Sequence, residues 1–286
     1  MTTFASPVDL EAYGEYKIPD TPGPLYRFTG RITADTAEQG RYHLYGGWFC
    51  PWSHRVAIVR SLAGLDGVVT MSFVGDERDA RGWAFREQYG PDPVNGFTLL
   101  RQAYEASTPG FDGHVSVPAL WDRVAGRILT NDSHAMGIDL ATQFHHLATP
   151  LIATYPAALA EDIEQLDRWL GPAVTYGVGK AAGPGPARDT LLATFQQLDD
   201  RLAERRYLLG DQVTEADIRL WVRLVRYDAG PNAHRTINPG LAAYPNLWAY
   251  ARDLYAIPAF RDTTDFNSFT APDAQVPDWS EPAGRH

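Results

Sequence analysis

Cys50 is the only cysteine among 286 residues, and it stands in the run Phe49-Cys50-Pro51-Trp52-Ser53-His54-Arg55. Pro51 suits the first turn of a helix, where its missing N–H costs nothing, so the run predicts a sulfur at a helix N-terminus. A sulfur so placed faces unpaired backbone N–H groups and the positive end of the helix dipole, which favour thiolate over thiol. His54 and Arg55 add positive charge one turn on. Ser53 occupies the place where a dithiol oxidoreductase carries its second cysteine. One thiol per chain excludes an intrachain disulfide, a Cys-rich zinc site and a two-cysteine redox cycle. Redox chemistry at Cys50 therefore needs an external thiol. The alternative reading of the position is a small buried hydrophobe.

Asp132-Ser133 puts a carboxylate and a hydroxyl at the start of a helical run. The backbone N–H groups there suit a ligand carboxylate, and plain helix capping is the alternative. Tyr42-His43-Leu44-Tyr45 predicts a short strand, broken by Gly46-Gly47. Val56, Ile58, Val59, Leu62 and Leu65 predict the helix after Cys50, ending near Gly64 or Gly67. Val68–Val74 predicts a second strand. Residues 75–114 are too long for an ordinary connection and are expected to be a functional or capping insertion. Val115–Trp121 and Arg127–Leu129 predict a hairpin around Asp122–Gly126.

Strand–helix–strand, hairpin, helix is a thioredoxin-like α/β order. In such domains the residue before a cis-proline, here Val117 before Pro118, offers its backbone to a thiol peptide. A proline at a strand start has a structural reading as well.

Beyond residue 150 only helical spacings remain: Leu159, Ile163, Leu166, Trp169 and Leu170; Leu191, Leu192, Phe195, Leu198 and Leu202; and Leu247–Leu254, with Pro258 expected to end it. Thr214-Glu215-Ala216-Asp217 resembles a capping box with Asp in place of Glu. Trp169, Trp221 and Trp248 are expected in the core, and Asp199-Asp200 with Glu204-Arg205-Arg206 on a solvated face. The expected organisation is an irregular arm over 1–40, a thioredoxin-like domain over 41–150, an all-helical domain over 151–265 and a tail over 266–286.

The chain carries 25 basic and 35 acidic side chains, a formal net charge of −10, which argues against non-specific binding to nucleic acid or anionic lipid. It has no apolar run of membrane-spanning length, and its N-terminal run lacks the features of a signal peptide. The expectation is a soluble, cytoplasmic protein. His145-His146 is expected to be a pair of surface histidines, with no metal site. Only two lysines, Lys17 and Lys180, stand against 23 arginines, a bias that points to GC-rich coding.

Taken together, these runs resemble the glutathione transferase superfamily and, within it, the Xi class, the glutathionyl-hydroquinone reductases. The resemblance spans roughly residues 25–270. It rests on Tyr42-His43-Leu44-Tyr45 leading to Cys50-Pro51-Trp52-Ser53-His54-Arg55, on Gly82-Trp83, and on Val115-Ser116-Val117-Pro118 with Leu120-Trp121-Asp122. Asn131-Asp132-Ser133 stands where the family shows NES. Tyr207-Leu208-Leu209-Gly210-Asp211, Thr214–Leu220, Tyr244–Trp248 and Arg252-Asp253-Leu254-Tyr255 follow in order.

The resemblance implies a Cys50-dependent reductase acting on an aromatic thiol conjugate or quinone. Glutathione would be the thiol cosubstrate, with no metal, and the protein would be a homodimer; the arginine bias, as a sign of GC-rich coding, adds mycothiol as the other thiol. It implies Trp83, Arg101, Val117, Asp132 and Ser133 as holders of the thiol, and Trp52, Tyr176 and Tyr227 toward the aromatic group. A solvated surface arginine is the alternative for Arg101. Two departures stand out: Gly179 and Pro231 lie where the family has tyrosines, leaving Tyr176 and Tyr227 to compensate or simply to pack. A thiol-conjugating transferase and a non-catalytic ligand-binding protein of the same fold are the other readings.

Overall fold

A computed structural model describes residues 4–5, 7–20, 24 and 26–280. Residues 1–3, 6, 21–23 and 25 of the expected arm and 281–286 of the expected tail lie outside the described residues. The chain divides into two units, Met1–Leu151 and Ile152–His286.

The first unit is built on a four-stranded sheet in the order β2-β1-β3-β4. β1 (Tyr42–Gly46) pairs parallel with β2 (Thr70–Phe73) and antiparallel with β3 (Ala119–Asp122), and β3 pairs antiparallel with β4 (Arg127–Thr130). All five residues of β1 are buried, as a central strand covered on both faces requires. This forces a polar side chain, His43, into the interior. Its two ring nitrogens are satisfied by the hydroxyls of Thr70 at 2.7 Å and Ser72 at 2.8 Å, both on β2. The parallel β1–β2 pair needs a crossover, which α2 (Pro51–Leu62) supplies. It packs beside α4 (Ser133–Thr142).

Several expectations for this unit are corrected. β2 is shorter than 68–74, because Val68 and Val69 donate to the Leu65 carbonyl in a turn instead of joining the ladder. The hairpin begins at Ala119 rather than Val115, and the Val117–Pro118 peptide before it is cis. The long connection contains a helix, α3 (Arg101–Ser107), whose seven residues are too few to show a period. The arm carries one short helix, α1 (Leu10–Tyr13), capped by the Asp9 carboxylate. The end of α2 is as expected: it closes at Leu62, and Gly64 follows in the left-handed region at φ +71°.

The second unit is helical. α5 (Ala160–Leu170), α6 (Pro186–Ala203), α7 (Glu215–Tyr227), α8 (Pro245–Tyr255) and α9 (Pro258–Arg261) follow in order. The capping box forms at α7, where the buried Asp217 carboxylate accepts from the backbone N–H groups of Thr214 and Leu208 and from the Tyr250 hydroxyl. Asp199 does not lie on a solvated face. It is buried on α6 and accepts the Asn246 and Leu247 N–H groups at 2.7 and 2.9 Å, capping α8. Trp221 and Trp248 are core residues, but Trp169 is only half-buried. Pro258 opens α9 instead of ending α8, which stops at Tyr255. No helix among the described residues is long and apolar enough to cross a membrane.

Burial, with the nearby Arg123 and Arg60 charges, pushes His43 down to about 3. The unfolded chain therefore takes up a proton near pH 6.5 that the folded chain refuses until about pH 3, so folding is weakened as pH falls through that window. Urea denaturation between pH 7 and 4 is expected to show stability declining by up to about 1.4 kcal/mol per pH unit from this group. A His43→Gln variant is expected to show a shallower slope.

Candidate functional site

Cys50 ends the turn that follows β1. Its N–H donates to the Gly47 carbonyl, and its own carbonyl accepts the His54 N–H as α2 begins. Ser53 fixes the same turn by accepting the Gly47 N–H at 3.2 Å. The sulfur is nearly buried and donates to the Val117 carbonyl at 3.4 Å. His54 and Arg55 are buried as well, so they do not present charge at the surface beside the sulfur.

A cleft of about 290 Å³ opens on Cys50. Phe49, Trp52, Trp83 and Val117 form its apolar surface, with the Phe49 and Trp83 rings stacked at 4.3 Å. Ser116, Asn131 and Ser133 supply polar groups. Asn131 ties two segments together: it donates to the Ser116 hydroxyl at 3.2 Å and accepts the Phe28 N–H. Ile18 and Tyr26 bring the N-terminal arm to the cleft, and Arg78 and His114 complete it. The His114 ring sits 3.0 Å from the Tyr16 hydroxyl. Burial, assisted by Arg78, holds this imidazole below its usual range, so it is neutral near pH 7.

Of the residues expected to act together, the structure brings Cys50, Trp52, Trp83, Val117 and Ser133 to this one cleft. Asp132 does not line it. Its carboxylate accepts the His134 and Ala135 N–H groups and caps α4. The Ser133 hydroxyl makes no hydrogen bond among the described residues and remains available to a ligand.

Arg101 is also displaced from the expected role. Its guanidinium is half-exposed, pairs with Glu105 at 2.8 Å and donates to the Phe111 carbonyl at 3.0 Å. It holds the segment leading to the site, as does Tyr104, whose hydroxyl donates to the Ser116 carbonyl at 2.8 Å. Tyr176 and Tyr227 belong to the second unit. Tyr176 is 59% exposed, whereas Tyr227 is fully buried with its hydroxyl donating to Asn238 at 3.0 Å, a packing residue rather than an open phenol.

Arg78, His114, Ile18 and Tyr26 were invisible to spacing arguments, because they come from loops and the arm, where no period marks which side chain turns inward. Ser116 and Asn131 stood inside the runs Val115–Pro118 and Asn131–Ser133 but were given no role of their own, and for Arg78 the one signal was the charge-dense run Asp76–Arg81 before Gly82-Trp83.

The division of labour between Asp132 and Ser133 is testable. Asp132→Ala is expected to cost about 1 kcal/mol of stability by removing a helix cap, and Asp132→Ser to recover most of it. Ser133→Ala is expected to leave thermal unfolding nearly unchanged and to weaken binding of a peptide thiol, measured by calorimetry.

Family models for the glutathione S-transferase N-terminal domain and C-terminal domain match residues 49–143 and 148–253. The chain is 37% identical, over 219 residues, to the glutathionyl-hydroquinone reductase PcpF of Sphingobium chlorophenolicum, an alignment covering 73% of this chain and 70% of that protein. It is similar to the glutathione-bound structure of YqjG from Escherichia coli K-12, with a TM-score of 0.84 and 30% identity across 94% of this chain and 98% of that one. A Xi class transferase from Natrialba magadii follows at TM-score 0.82 and 31% identity, covering 89% of each. With both domain models matched in order and relatives of this class aligned over most of the chain, the chain belongs to the glutathione S-transferase superfamily, in its Xi, glutathionyl-hydroquinone reductase-like class.

Proposed function

We propose that this protein is a cysteine-dependent reductase that removes glutathione from aromatic conjugates such as glutathionyl-hydroquinones. The observation that carries the reading is the pairing of a single thiol at the start of α2 with the Val117 carbonyl, on the wall of an aromatic-lined cleft. In the proposed cycle the Cys50 thiolate attacks the sulfur of the conjugate. The carbon–sulfur bond to the arene breaks, its electron pair goes to the ring carbon, and that carbon takes a proton. The arene leaves reduced and Cys50 is left in a mixed disulfide. Ser53 cannot resolve that disulfide, so a second glutathione thiolate attacks it, releasing glutathione disulfide and restoring Cys50. The net reaction transfers two electrons from the sulfur pair to the aromatic conjugate.

In this reading the Val117 backbone and the Trp83 face hold the peptide thiol. Ser133 and the N-terminus of α4 receive its γ-glutamyl carboxylate, and Trp52 borders the aromatic group. Gly179 and Pro231 supply no phenol to the leaving group, and Tyr227 is occupied by Asn238. The aromatic substrate is therefore one whose departure does not depend on those two hydroxyls. Mycothiol is the second candidate for the thiol. A cycle dependent on a pool of reduced thiol suits the cytoplasm, and family resemblance supports a homodimer.

Reduced protein incubated near pH 6.5 with glutathione disulfide, or separately with mycothiol disulfide, is to be read by intact mass. A single glutathione adduct is expected, absent in Cys50→Ala, together with release of free hydroquinone from a glutathionyl conjugate. No adduct with either disulfide would overturn the reading and favour a ligand-binding protein.

A further inference from the structure

We propose that Arg78 is the receptor for the C-terminal, glycyl carboxylate of a glutathione-type peptide thiol at the Cys50 cleft, positioned by Tyr16 of the N-terminal arm. The inference rests on the cleft being the thiol-binding site.

The charge inventory of the cleft leads to it. Of the described lining residues, Arg78 alone carries a permanent charge, and none is acidic. His114 is held neutral by burial beside Arg78. The Arg78 guanidinium has no carboxylate partner and no hydrogen bond among the described residues. It is clamped between two rings instead, 4.0 Å from the Tyr16 centroid and 4.3 Å from that of Trp83. Ring faces favour a cation but leave the in-plane N–H fork, the part that pairs with a carboxylate, unused.

Its neighbour Arg81 shows the contrast. The buried Asp79 carboxylate accepts from both the Arg81 side chain and its backbone N–H, and this pairing holds Asp79 well below the usual carboxylate range. Two arginines three residues apart thus divide: one is fully neutralised in the fold, and the other is left open on the cleft.

The arm keeps Arg78 there. Asp79 also accepts the Asp9 N–H, Ala80 donates to the Gly14 carbonyl, Arg81 donates to the Pro7 carbonyl, and Arg81 stacks on Tyr13. These bonds seat residues 7–14 on the 79–82 turn. Tyr16, two residues on, is held from its other end by His114. Trp83, the second ring of the clamp, is stacked on Phe49, the residue before Cys50.

A peptide thiol of the glutathione type carries two carboxylates. The γ-glutamyl one has the α4 N-terminus and Ser133, and the sulfur has Cys50. The glycyl carboxylate is left for the one unpaired cation. Mycothiol carries no free carboxylate, so this cation selects against it.

Calorimetric titration of the reduced full-length protein with glutathione, its glycyl monoethyl ester and mycothiol tests the assignment. Wild type is expected to bind glutathione about 10- to 100-fold more tightly than the ester. Arg78→Met is expected to lower glutathione to the level of the ester while leaving the ester unchanged, with partial recovery in Arg78→Lys. Equal affinity of wild type for acid and ester overturns the assignment without any variant. Equal loss of both ligands in Arg78→Met, or no loss, overturns it too. Carboxylate-dependent binding without a Cys50 adduct would leave Arg78 in place and defeat the reductase reading alone. An adduct with Arg78-independent binding would do the reverse.

Discussion

The approach of one sulfur to one carbonyl organises the first unit. Cys50 follows the end of β1 by four residues, and Val117 precedes β3 by two. Their 3.4 Å contact exists because β1 and β3 pair with Tyr45 opposite Ala119. A slip of one residue in that pairing would turn every side chain of the strand to the other face and carry the Val117 carbonyl away from the thiol. The rest of the unit secures the same juxtaposition. Ser53 ties the turn below the sulfur, while Tyr104 and Asn131 hold Ser116, next to Val117, from two different segments.

Several buried polar groups are matched inside the fold where they tie segments together. His43, sealed inside the sheet, has both nitrogens satisfied by β2 hydroxyls. Asp79 is surrounded by donors from the arm and from Arg81. In the second unit Asp199 and Asp217 tie helices together by capping or bonding across them, as buried carboxylates must to offset their desolvation. Two polar groups that make no hydrogen bond among the described residues, the Ser133 hydroxyl and the Arg78 guanidinium, line the cleft of Cys50. Under the proposed function, that pair is what the cleft offers to a polar, anionic peptide alongside an aromatic group.

The absence of two family tyrosines and the burial of Tyr227 bear on the chemistry in one direction. A phenol that donates to a quinol oxygen lowers the barrier to departure of the arene. Without it, expulsion depends more on the arene's own stability as a leaving group and on the aromatic walls of Phe49, Trp52 and Trp83. On the proposed function, substrate choice would then rest on stacking and on the thiol half of the conjugate.

Periodicity and turn chemistry were enough to read the order of elements, the thiol at the helix start, the cap at Asp132 and the capping box at Thr214, because each is set by residues within one turn of one another. The same local logic misplaced Asp199, whose partner Asn246 lies 47 positions away, and overlooked α3, whose seven residues bury only Ala103 and Tyr104. It singled out Arg101 and passed over Arg78, since nothing local marks which arginine of a loop-rich stretch turns toward the cleft. What the sequence by itself determined is the placement of the thiol at a helix start, the fold class and the backbone groups that local geometry delivers. Only the tertiary structure decided which cation stays unpaired beside the sulfur, because that depends on the arm reaching the 79–82 turn through contacts about seventy residues apart in the chain, a separation that no pattern of neighbours encodes.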